Sequence, residues 1–216
     1  MHDVFVAIGL FAVTFLLGSV PWGVVISKVF FHDDIRKHGS GNIGTTNAMR
    51  TLGRAGGAAV FVLDFGKGLL SGALAYLACG LLPCDGLAPG ALMSCNTMLG
   101  VAFFGCTYGH IFSPWLRFKG GKGIAVAVGA LFFVYGPAGA LLELALFAVV
   151  VLVTRYVSAG SIAAAVACPF FALYFFWGSW PAFALCAVVG LTVVWAHRGN
   201  IERLRAGTER KIGGGK

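Results

Sequence analysis

Three polar stretches hold the residues of this chain that could do chemistry. The first, GSGNIGTTNAMR at 39–50, packs glycine, amide, hydroxyl and guanidinium groups into twelve positions. Ser40, Asn42, Thr46 and Asn47 supply neutral donors and acceptors, and Arg50 a planar fork suited to phosphate. The second, RFKGGKG at 117–123, sets Lys119 and Lys122 among Gly120, Gly121 and Gly123, directly ahead of an apolar run. Glycines let backbone N–H groups come close to an oxyanion, and a helix beginning there adds the positive end of its dipole. The G-x-x-x-x-G-K-[ST] pattern is absent, which disfavours nucleotide hydrolysis. The third, AHRGNIERLRAGTERK at 196–211, offers His197, whose ordinary pKa lies near neutrality, with Asn200 one turn on.

Further ionisable residues fall inside apolar runs. Asp64 and Lys67 stand three apart, on one face of a helix, and are expected to pair. Glu143 is isolated, and Tyr108 and His110 border the second stretch. The six cysteines form no C-x-x-C, and neither their spacing nor that of the histidines indicates a metal site. Cys79 and Cys84 lie near one membrane face, within pairing range in sequence; four cysteines sit inside apolar runs as small buried hydrophobes.

The elements that must position these groups are transmembrane helices. Of 216 residues, 58% are hydrophobic and 11% charged, against about a quarter charged in soluble domains. Apolar runs at 4–26, 57–82, 88–111, 124–153, 157–177 and 181–196 are span-length. The first lacks a basic leading segment and a small-residue cleavage site, so it is expected to be retained. The fourth is too long for one crossing and contains Gly136-Pro137, a turn signal. With a hairpin there, the three polar stretches and the basic tail share one side, while the opposite loops carry no Lys or Arg. Positive charge favours the cytoplasmic side. The expectation is therefore an all-α polytopic membrane protein, one domain over 1–216, of about seven helices. The amino terminus lies outside and the carboxy terminus in the cytoplasm. Segment 124–135, about 18 Å as a helix, is short for a crossing: it is tilted, begins in the preceding loop, or is re-entrant. The net charge of +8 points to anionic headgroups or substrates, with no nucleic-acid motif.

Taken jointly, GSGNIGTTNAMR, D-x-x-KG at 64–68, GHIFSPWLRFKGGKG, RYVSAGSI and HRGNIERLRAGTE resemble the PlsY-type acyl-phosphate:glycerol-3-phosphate acyltransferase family, in family order and over nearly the whole chain. The resemblance implies a seven-helix protein of the bacterial inner membrane with its active site open to the cytoplasm. It implies transfer of a fatty acyl group from acyl phosphate to the sn-1 hydroxyl of glycerol 3-phosphate, giving lysophosphatidic acid and phosphate, the first step of phospholipid synthesis. No metal, organic cofactor or obligate protein partner is implied; the partners are the two substrates and membrane lipids. Ser40, Arg50, His197 and Asn200 take the family's catalytic positions. Lys119, Gly120, Gly121, Lys122 and Gly123 take phosphate-binding ones, and Asn42, Thr46 and Asn47 are added as substrate or phosphate contacts from the chemistry of the first stretch. Glu209 takes a structural position. Ser158 and Lys67 are added as substrate contacts, and Asp64 as a structural partner of Lys67. Thr45 stands where the family usually has Ala, Val126 where it often has Thr, and Ala196 where a basic residue is common.

Both implied substrates carry phosphate, which matches the supply of glycine and cation on one face. An acyl phosphate is already activated, so direct attack by the glycerol hydroxyl suffices. Either His197 or a phosphoryl oxygen of the donor can take the proton, and either cation set can hold either phosphate. A small-anion transporter is the competing class; it would place polar groups near both faces or show an inverted repeat.

Overall fold

The structure, a computed structural model, describes residues 2–80 and 94–213. Among these, the apolar runs are helices and no strand occurs. Helices α1 (His2–Ser19) and α2 (Trp22–Phe31) form one span with a break at Val20-Pro21, where proline offers no N–H to the ladder. A loop and the short α3 (Thr45–Thr51) lead to α4 (Gly53–Cys79). Then follow α5 (Cys95–Ile111), α6 (Ile124–Val134), α7 (Gly136–Thr154), α8 (Val157–Phe175), α9 (Trp180–Ala196) and α10 (Arg198–Arg205). Four spans are individually long and apolar enough to cross a membrane, or five if the bent pair α9–α10 is counted as one.

Glycine determines how closely these helices lie. A Cβ on Gly68 of α4 would overlap the Val126 carbonyl of α6, and one on Gly129 of α6 would overlap the Phe65 carbonyl of α4. The same holds between α1 and α5, at Gly18 against Cys106 and Gly109 against Phe15. Backbones this close gain dispersion contact without a side chain between them. Direction follows from contacts along each pair: Gly68 against Val126 and Gly72 against Phe133 make α6 parallel to α4, Gly105 against Thr14 and Gly109 against Ser19 make α1 parallel to α5, and Gly160 against Phe147 with Gly139 against Phe175 makes α7 antiparallel to α8. Replacing Gly68 by valine forces backbone apart. Overpacking of this kind costs about 1–3 kcal/mol, so thermal unfolding in detergent should show a Tm lower by about 3–10 °C.

The long fourth run turns where its glycine and proline stand. The αL residue Gly136, at φ 69°, begins α7, and Pro137 occupies the first turn, where its missing N–H costs nothing. Helix α6 is therefore a separate segment of 11 residues beside α4. Cys79 is joined to Cys95, across the ends of α4 and α5, with Cα atoms 5.1 Å apart; Cys84 lies outside the described residues. Cys106, Cys168 and Cys186 are buried and free.

Candidate active site

The loop after α2 folds around one amide. Asn47 donates to the carbonyls of Ile35, His38 and Asn42 at 3.3, 3.1 and 2.8 Å, and accepts from the Ser40 N–H at 2.9 Å. Gly39, at φ 61°, passes so near Asn47 Oδ1 that a Cβ would overlap it. Asn47, expected on phosphate, borders the cavity described below, and its amide is occupied in shaping the loop. Asn42 Oδ1 accepts from Gly44 N–H at 2.9 Å. Gly44 is the N-cap of α3, and Thr45 is its first residue.

The second loop is also built differently from the phosphate cradle its glycines suggest. Gly120 N–H donates to the Ile111 carbonyl at 2.9 Å, and Gly121 N–H to that of His110 at 3.0 Å. Neither N–H is free for an anion. A Cβ on Gly120 would overlap the His110 carbonyl, and one on Gly121 the His110 ring. These glycines let the loop lie flat on the end of α5. Lys119 is exposed and does not border the cavity described below. Lys122 does, half-buried, donating to Asn200 Oδ1. Gly123, at φ 84°, then caps α6 and also borders the cavity.

His110 rests on a buried ionic cluster. The Lys67 ammonium contacts Asp64 Oδ1 at 2.8 Å, the Val20 carbonyl at 2.8 Å and His110 Nδ1 at 3.0 Å. Lysine has only donors, so His110 Nδ1 accepts, while Asp64 Oδ1 is held as an ion pair. The expected Asp64–Lys67 pair is present. Lys67, expected also to touch substrate, does not border the cavity, whereas Asp64 and His110 do. The cluster ties the break after α1 to α4 and α5, beneath the 119–123 loop.

The third stretch folds back over the helix ends. Glu209 accepts from Ser158 Oγ at 3.0 Å, Asn200 Nδ2 at 2.8 Å and Arg203 Nε at 2.6 Å. Ser158 therefore serves Glu209 directly. Burial pushes the Glu209 pKa up, but the bonds from Asn200, Arg203 and Ser158 outweigh it and hold the carboxyl below its usual range. His197 is buried at the end of α9, with Nδ1 2.8 Å from the Val193 carbonyl. A carbonyl only accepts, so Nδ1 carries the proton and Nε2 is the free lone pair. Burial brings this imidazole down to about 4. Burial, with Arg203 close by, brings Lys122 down to about 8. Arg50 is lowered by burial and by Arg210.

These pieces surround one cavity of about 950 Å³. Ser40, Asn42, Thr46, Arg50, Lys122, His197 and Asn200 line its polar end, joined by Arg203, Arg210 and Glu209. Arg203 and Arg210 read from sequence only as basic tail; their spacing of three and ten residues from Asn200 was the available signal. Beyond this mouth the cavity is apolar, running between α6, α7, α8 and α9 past Val151, Phe147 and Leu131. A smaller polar basin of about 310 Å³ adjoins it, and Ser40, Asn42, Lys122, Asn200 and Arg203 border both.

A bundle of apolar helices enclosing a chamber with a cationic mouth and a hydrocarbon-like interior is the architecture of an integral membrane protein. The particular family follows from comparison. The family model described as glycerol-3-phosphate acyltransferase matches residues 8–207, and the chain belongs to that family. It is 42% identical over 208 residues to the glycerol-3-phosphate acyltransferase of Gloeobacter violaceus, covering 96% of this chain and 95% of the relative. It is 38% identical over 209 residues to that of Thermosynechococcus vestitus, covering 96% of each. Among solved structures, it resembles the glycerol 3-phosphate form of PlsY (YgiH), an integral membrane glycerol 3-phosphate acyltransferase. That likeness has a TM-score of 0.82 and 34% identity, over 96% of both chains.

Proposed function

We propose that this chain transfers a fatty acyl group from acyl phosphate to the sn-1 hydroxyl of glycerol 3-phosphate. The products are 1-acylglycerol 3-phosphate and inorganic phosphate, in the first step of bacterial phospholipid synthesis. The bundle sits in the cytoplasmic membrane as one domain, with the cationic mouth facing the cytoplasm. The observation that carries this reading is the continuity of the cavity, cationic at one end and apolar below it. It suits a phosphate head and a fatty tail in one molecule, with the adjoining basin for a small polar acceptor.

In this mechanism Lys122, Arg50, Arg203 and Arg210 hold two phosphates that would otherwise repel each other. Proximity of the reactants and pre-placed charge are the main sources of acceleration. The glycerol oxygen attacks the acyl carbonyl carbon, and a tetrahedral oxyanion forms. The bond from that carbon to the phosphate oxygen then breaks, and phosphate leaves with the electron pair. The hydroxyl proton passes to His197 Nε2 or to a phosphoryl oxygen of the donor. Ser40 and Asn200 orient the reacting groups.

Purified protein supplied with acyl phosphate and labelled glycerol 3-phosphate should release lysophosphatidate and phosphate in equal amounts. Counterflow of glycerol 3-phosphate in liposomes, without product, would overturn the proposal in favour of transport. The titrations add a pH signature. His197 stays neutral above about pH 4, so its titration does not bend kcat/KM between pH 6 and 8. Lys122 loses its positive charge as pH rises through about 8. The rate should be flat near neutrality and fall on the alkaline side of that value, which a pH profile of kcat/KM checks.

A further inference from the structure

We propose that Glu143 sets the acyl-chain selectivity of this enzyme, as a polar stop against hydrocarbon that reaches its depth; the inference rests on the acyl-donor reading above. Glu143 lies on α7, only 6% exposed, and its Oε2 has no hydrogen-bond partner among the described residues. It borders the apolar part of the cavity, as do Leu131, Ala140, Leu144 and Cys168. An orphaned carboxyl on a fatty-chain channel is costly and serves no packing purpose that an apolar side chain would not serve better.

Its depth can be estimated along α7. From Val151, near the polar mouth, to Glu143 is eight residues, or about 12 Å of helix. An extended chain advances about 1.2 Å per bond, as a residue's three backbone bonds do. About ten carbons therefore fit above the carboxyl. A longer chain lays methylenes against this carboxyl and returns no hydrogen bond, so long donors carry a penalty that shorter ones escape.

The test compares kcat/KM for hexadecanoyl and decanoyl phosphate in detergent-purified protein. Glu143→Leu and Glu143→Met should each raise the ratio of the long donor over the short one by about fivefold or more. Glu143→Gln keeps a polar head at the same depth and should leave the ratio near that of the unaltered enzyme. Having two apolar variants keeps the test open if one fails to fold, which its Tm reports. An unchanged ratio in the folded apolar variants overturns the inference, as does an equal rise in Glu143→Gln. If the unaltered enzyme makes no lysophosphatidate from either donor, the acyl-phosphate reading itself fails, independently of Glu143.

Discussion

Replacing Lys122 with methionine is expected to lower kcat/KM for lysophosphatidate formation by about 10²–10³-fold, the usual loss when one pre-placed donor to developing negative charge is removed. Lys122 is the cation of the second stretch that borders the chamber, and it borders the adjoining basin as well. Its contact with Asn200 fixes the loop before α6 against the start of α10. The variant should also lose the alkaline fall in rate near pH 8, because that fall belongs to the Lys122 proton. Measured turnover within a few-fold of normal, with the alkaline limb intact, would remove Lys122 from the reaction. Lys119→Met is the informative comparison: that side chain is exposed and off the cavity, so its loss should be far smaller.

Glu209→Ala is expected to cost about 100-fold or more in kcat, by misplacement rather than by loss of chemistry. The carboxylate, whose side chain is 8% exposed, gathers Ser158 of α8 with Asn200 and Arg203 of α10. Without it those donors lose their common acceptor, and Asn200 is left with Lys122 as its one side-chain partner among the described residues. The tail would remain attached through Arg155, whose carbonyl accepts from the Ile212 N–H and whose guanidinium donates to the Ile212 carbonyl. The variant should therefore fold, and the loss should appear in turnover. The pH dependence has a definite sign. A carboxyl held below its ordinary value of 4.5 stabilises the docked tail at pH above that value, and the stabilisation is lost as pH falls through the lowered pKa. Proteolysis of the tail should accordingly rise only in acid for the unaltered protein, and at neutral pH for Glu209→Ala.

How much of this was legible beforehand differs from element to element. The apolar runs gave the helices to within a few residues, because a span needs length and hydrophobicity and both are local. The turn at Gly136-Pro137 was legible for the same reason: an αL glycine followed by proline at a helix start is a local signal. The glycines at 120 and 121 were not, since a phosphate cradle and a tight backbone crossing ask for the same residue. Only the partners of their N–H groups, the carbonyls of Ile111 and His110, separate the two uses. Asn47 is ambiguous in a similar way: an amide able to bind phosphate can equally organise its own loop. The bond from Ser158 to Glu209 spans 51 positions, and the Cys79–Cys95 link joins two helix ends; neither leaves a mark in local pattern. Arg203 and Arg210 looked like orientation signals because any basic tail at a membrane face does.

The glycine contacts between α4 and α6 have a mechanical consequence for the chamber. Where backbone meets backbone, a wall has no slack, and that side of the enclosure keeps its shape whatever occupies it. Helix α7 follows α6 and lines the same cavity, with Gly139, Ala140 and Glu143 its buried residues. A substitution that parts α4 from α6 therefore reshapes the chamber without touching a polar group at its mouth.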